Sequence, residues 1–83
     1  MYRIILEKPA EKFFRKLDKK EQERIGKKIL ELENNPELGK PLTANLSGLR
    51  SLRIGKYRII YKIDKKIVTI FILDMGHRKD IYD

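Results

Sequence analysis

The sequence predicts an α+β domain, a helical hairpin layered on a small antiparallel sheet, and three observations predict it. Apolar residues recur at helical spacing between Ala10 and Leu32. They recur at strand spacing from Leu49 onward, and Asn34-Asn35-Pro36 stands between the two regimes. Eighty-three residues can build one modest core, and no repeat, linker or low-complexity tract divides them, so the chain reads as a single domain over residues 1–83.

Residues 2–7 form the expected first strand, built on Tyr2-Arg3-Ile4-Ile5-Leu6. Pro9 opens a helix, because its missing N–H falls among the first-turn donors that have no partner in any case. Ala10, Phe13, Phe14 and Leu17 then follow at i, i+3, i+4 and i+7, one buried stripe. Asp18 is placed to cap a second helix whose apolar positions are Ile25, Ile29 and Leu32, with Leu30 beside them. Asn34-Asn35-Pro36 ends this hairpin, since a residue before proline is pushed out of helical geometry. A loop runs to about Asn45. Leu52 to Ile54, Tyr57 to Ile63 and Ile67 to Leu73 read as three antiparallel strands, separated by Gly55-Lys56 and Asp64-Lys65-Lys66. Asp74-Met75-Gly76 closes the last of them, leaving a tail from His77 to Asp83.

Twenty Lys and Arg against twelve Asp and Glu leave a formal charge of +8, so a polyanion is the first partner to expect. The part up to Leu42 carries eleven bases and eight acids, and the remainder nine bases and four acids, which puts most of the surplus in the strand-rich half. The helices' mixed charges read as a solvated face. With no cysteine, disulfides and thiolate metal sites are excluded, and one His with scattered acids offers no metal-ligand spacing. No metal and no cofactor is expected, because phosphate-cradling glycine loops, dinucleotide fingerprints and nucleophile elbows are all missing. No apolar run reaches membrane-spanning length and the N-terminus is strand-like, so the expected location is cytoplasmic, without membrane contact. Abundant Lys, Glu and Ile with a single Gln point towards a thermophilic source.

The chemistry-bearing constellation follows from one turn. If Gly55-Lys56 is a two-residue type II′ loop, Ile54 faces Tyr57, Arg53 pairs with Arg58, and Ser51 pairs with Ile60. Leu52, Ile54, Tyr57 and Ile59 lie on the other face. Like charges directly opposite each other destabilise a hairpin, and an anion held between two guanidinium forks would offset that cost. A last strand adjacent to Tyr57–Ile63 brings Arg78 and Tyr82 of the tail near the same face.

Leu49 through Tyr61, reading LRSLRIGKYRIIY, followed by GHRKDIY at 76–82, resembles the RelE/ParE toxin superfamily, and the likeness spans nearly the whole chain. The resemblance implies a helix pair on a twisted antiparallel sheet, and a type II toxin neutralised by a RelB-like antitoxin. The toxin–antitoxin complex would then bind operator DNA. RelE-type members cut mRNA in the ribosomal A site without a metal, whereas ParE-type members poison DNA gyrase. On the RelE-type reading, Arg53 contacts RNA phosphates, and Arg58 and Arg78 stabilise the transition state. Tyr82 stacks on a base and assists proton transfer. Arg50, Ser51, Lys56, His77 and Lys79 are the accompanying contacts to mRNA and ribosomal RNA.

One departure bears on the chemistry. The position two residues before Arg53 often holds Lys or Arg in active RNases of this family, and here it is Ser51. Arg50 is adjacent but points to the opposite face by strand parity. Arginine does not readily give up a proton, so His77 or Tyr82 would serve as base, or rate would come mainly from charge stabilisation. The expected reaction is attack by the ribose 2′-hydroxyl on its own 3′-phosphate. A gyrase poison, or an inactive module that binds antitoxin and operator, are the competing expectations.

Overall fold

The computed structural model describes residues 1–81. Its elements are β1 (Arg3–Leu6), α1 (Lys8–Lys16), α2 (Lys19–Leu30), β2 (Lys40–Pro41), β3 (Arg50–Ile54), β4 (Tyr57–Asp64) and β5 (Thr69–His77), with short 3₁₀ turns at Glu31–Glu33 and Ala44–Leu46. The architecture is α+β, as expected. Five strands lie in the order β1-β5-β4-β3-β2, with both helices on one face.

Local chemistry accounts for the helices. Pro9 sits in the first turn of α1. The Asp18 carboxylate accepts a hydrogen bond from Glu21 N at 2.9 Å and so caps α2, a contact worth about 1 kcal/mol. Gln22 Nε2 donates to Phe14 O at 2.9 Å and ties the second helix to the first. Ala10, Ile25, Ile29 and Leu32 then pack on Leu52, Ile54, Tyr57, Ile59, Tyr61, Ile70, Ile72 and Met75, with Phe13, Phe14 and Leu17 at the margin. Leu30, one step off that stripe, is 55% exposed.

Several features depart from the expected sheet. First, β1 joins the edge parallel to β5, with Ile4 opposite Ile70, so the sheet is mixed rather than antiparallel. The helical hairpin between β1 and the rest of the sheet is a crossover long enough to permit a parallel partner. Second, the segment read as a loop contains β2, two residues long, with Lys40 opposite Ser51 and Pro41 opposite Arg50. Third, β5 begins two residues late and continues through Asp74-Met75-Gly76 to His77. Val68 has φ 50° in the preceding turn, which delays the start. Continued pairing with β4, ending at Tyr57 opposite His77, overrides the weak strand propensity of Asp and Gly. The four-residue β1 is likewise shorter at each end than expected. Among the described residues, no helix is long and apolar enough to cross a membrane.

Candidate functional site

The site is organised by the β3–β4 turn. Gly55 has φ 61° while Lys56 keeps negative φ, the pattern of a type II′ turn with Gly at its first position. The register that follows is the expected one: Ile54 faces Tyr57, Arg53 faces Arg58, and Ser51 faces Ile60. Arg53 is exposed, whereas Arg58 is only 6% exposed.

The third strand reaches this pair through a bulge. Ile60 is opposite Asp74 but Tyr61 is opposite Ile72, so Leu73 is an extra residue in β5. An extra residue resets the alternation of faces. Gly76 consequently lies opposite Arg58 on the face away from the helices, and Met75 and His77 turn towards them. The His77 ring lies 5.2 Å from the Tyr57 ring and meets Phe13 of α1 edge-on at 5.8 Å. Beyond β5 the chain doubles back, with Asp80 N and Ile81 N both donating to His77 O, at 2.9 and 3.0 Å. Ile81 thereby sits over Gly76, where a Cβ would stand 3.5 Å from Ile81 Cδ1.

Arg78 is fastened to the turn twice. Its backbone N donates to Lys56 O at 2.8 Å, and its Nη1 donates to Gly55 O at 3.1 Å. A guanidinium has five N–H donors, so this contact leaves others for a ligand. The result is a concave pocket of about 700 Å³ lined by Arg53, Lys56, Arg58, His77, Arg78 and Lys79. Five of the six carry a fixed positive charge and none is an acid. Two like charges about 4 Å apart repel by about 1 kcal/mol in water and about 4 kcal/mol near a protein surface. An anion in the pocket reverses the sign of that contribution. The arrangement suits a phosphodiester whose charge grows during reaction.

Six of the expected contact residues therefore converge, and two other described ones do not join them. The Arg50 side chain donates to Glu37 O, at 3.3 Å, and to Gly39 O, so it braces the loop before β2. Ser51 is buried and lines a neighbouring pocket of about 350 Å³, together with Lys28, Lys40, Arg53 and Arg58. Tyr82 lies outside the described residues. Lys28 and Lys40 were absent from the sequence expectation, and only the β2–β3 pairing, which has no local signature, would have pointed to Lys40. Among the described residues, no three His, Asp or Glu side chains converge on a point that could hold a metal ion.

Tyr61 shows how the loop is held. Its hydroxyl donates to Pro36 O at 2.7 Å and accepts from Gly39 N at 2.9 Å. Burial raises its pKa above the usual 10.0, opposed by the Gly39 hydrogen bond and the nearby Arg50 charge. It is a neutral structural strut.

Residues 4–82 match the model of a family described as ParE toxin of the type II toxin–antitoxin system parDE. Toxin RelG of Mycobacterium tuberculosis is 49% identical over 45 residues, which covers 54% of this chain and about half, 52%, of that protein's length. A putative toxin RelE4 of Methanocaldococcus jannaschii is 30% identical over 86 residues, covering 99% of this chain and 92% of that protein. The fold is similar to that in the toxin–antitoxin complex RelBE2 of Mycobacterium tuberculosis, with TM-score 0.84 and 32% identity over 93% of this chain and 98% of that one.

Proposed function

This chain belongs to the ParE toxin family of type II toxin–antitoxin systems, and from that membership we propose that it is a RelE-type endoribonuclease that cuts mRNA on the ribosome. The observation that carries the reading is the pocket in which Arg53, Arg58 and Arg78 stand together, with no carboxylate lining it among the described residues. A surface that merely docked on a protein target would not require three guanidinium groups around one cavity.

In the reaction, the 2′-oxygen forms a bond to its own 3′-phosphorus and the bond from phosphorus to the departing 5′-oxygen breaks. The 2′-hydroxyl proton passes to the base, the 5′-oxygen takes a proton from water, and the products are a 2′,3′-cyclic phosphate and a free 5′-hydroxyl. Arg53 grips a non-bridging phosphate oxygen, while Arg58 and Arg78 meet the charge that grows on the phosphorane. Preorganised donors of this kind are each worth on the order of 100-fold or more in rate. Lys56 and Lys79 add to the field that draws the strand in. His77, held by Phe13 and Tyr57, or Tyr82 takes the base role, worth roughly another 100-fold. The ribosome holds the attacking oxygen in line. The partner that restrains this activity is an antitoxin resembling RelB, whose acidic segment folds onto the +8 surface.

The family description itself favours a second reading, a gyrase poison of the ParE kind. Incubating the purified protein with translating ribosomes and mapping mRNA ends separates the two. Codon-phased cuts support the nuclease; intact mRNA together with inhibited DNA supercoiling overturns it.

A further inference from the structure

We propose that Lys28 and Lys40 form a second phosphate subsite, which grips the RNA strand beside the phosphodiester being cut. This rests on the nuclease reading and extends it to a surface that lies outside the RelE-type set of contacts.

Register places Lys40 in the row. Residues paired across neighbouring strands share a face, and so do residues two apart on one strand. Lys40 is opposite Ser51, Ser51 is two residues from Arg53, and Arg53 is opposite Arg58. From the helix side, Lys28 of α2 reaches the same cavity of about 350 Å³. No carboxylate lines it among the described residues, and it shares Arg53 and Arg58 with the first pocket. The two cavities therefore make a continuous cationic track from Lys79 to Lys40. A nucleic-acid strand presents phosphates in series, so a track of this kind engages more than the scissile group.

The backbone beneath Lys40 is held with unusual care for a solvated lysine. Gly39 N donates to Tyr61 Oη, Gly39 O accepts from the Arg50 guanidinium, and Leu42 N donates to Leu49 O at 2.9 Å. A Cβ on Gly39 would stand 2.7 Å from Ser51 O, so only glycine allows this close approach. These contacts fix a strand of two exposed residues, and the charged side chain that strand carries is Lys40. Lys28 is half-buried and lies 3.5 Å from the exposed Glu31, and such surface pairs are too weak and too screened to neutralise the lysine against a strand of phosphates.

The test is binding of a fully 2′-O-methylated single-stranded RNA oligonucleotide, which 2′-hydroxyl attack cannot cut, measured from 50 to 200 mM salt. For single strands each cation–phosphate contact contributes about 0.7 to the slope of log K against log salt. Lys28→Ala and Lys40→Ala should each reduce that slope by about 0.7 and the double variant by about 1.4, while Lys40→Arg restores it. Lys65→Ala, at the far end of β4, should leave it unchanged. A double variant with the wild-type slope overturns the subsite, even if it binds an acidic antitoxin peptide more weakly. Wild-type protein that does not bind the oligonucleotide at 50 mM salt overturns it too. The nuclease reading fails separately, by intact mRNA on ribosomes.

Discussion

Arg53 and Arg58 stand opposite each other across the β3–β4 hairpin, one exposed and the other 6% exposed, with Gly76 of β5 on the far side of Arg58. Guanidinium groups paired in this way repel each other, and an anion bound between them offsets that repulsion. The apolar core and the backbone pairing of the sheet hold the two in register. The charges are then already in place when a phosphodiester arrives.

Arg58→Ala and Arg78→Ala are each expected to abolish growth arrest and to slow single-turnover mRNA cleavage on ribosomes by about 100-fold or more. Far-UV circular dichroism should stay that of the wild type, since neither guanidinium belongs to the apolar core. Wild-type toxicity in both variants would remove the proposed site.

Inorganic phosphate should stabilise the fold. At about 100 times its dissociation constant, a ligand that binds only the native state contributes about 2.7 kcal/mol, which raises the melting midpoint of a domain this size by on the order of 10 °C. The double variant Arg53→Ala/Arg58→Ala should lose that increment. An equal phosphate effect in both proteins would show that the anion acts elsewhere.

Tyr61→Phe leaves Gly39 N and Pro36 O without their shared partner, at a cost of about 1–3 kcal/mol for each group left unsatisfied. The wild type should also carry a specific alkaline signature. Its Tyr61 pKa is raised in the folded state, so the folded protein holds that proton more tightly than the unfolded chain. Stability from this residue is therefore fully present below pH 10.0 and is lost as pH climbs through the higher folded value. Chemical denaturation from pH 8 to about 11 should show a steeper decline in the wild type than in Tyr61→Phe, while parallel curves would contradict the assignment.

Gly76→Ala should be nearly neutral, because the added Cβ meets Ile81 Cδ1 at 3.5 Å, an ordinary contact. Gly76→Ile would push Ile81 from its place over Gly76, the residue opposite Arg58. Cleavage should fall while the melting midpoint holds within a few degrees; unimpaired cleavage would show that the fold-back of the tail has no part in the site.

What could be read in the sequence was local chemistry. Gly55-Lys56 specifies a two-residue turn, and from that alone the Arg53–Arg58 pairing follows by strand parity. Pro9 and Asp18 likewise announce helix starts from their own side chains. Hidden were the consequences of long-range pairing. The parallel partner of β1 and the placing of Lys40 opposite Ser51 depend on strands that meet only in the folded sheet. The face that His77 presents is hidden too, because the bulge at Leu73 reverses parity in the last third of β5 and nothing around Leu73 signals an extra residue. Arg50, read as an RNA contact, is engaged with the carbonyls of Glu37 and Gly39, and those partners come from a loop whose path the sequence does not specify.

The central claim is that guanidinium groups around one pocket promote attack by a ribose 2′-hydroxyl, and the termini left on cut mRNA test it most directly. Mass spectrometry of fragments from toxin-treated translating ribosomes should find 2′,3′-cyclic phosphates upstream and 5′-hydroxyls downstream, both lost with Arg58→Ala. Uncut mRNA, or fragments ending in 3′-hydroxyl and 5′-phosphate, would contradict the account.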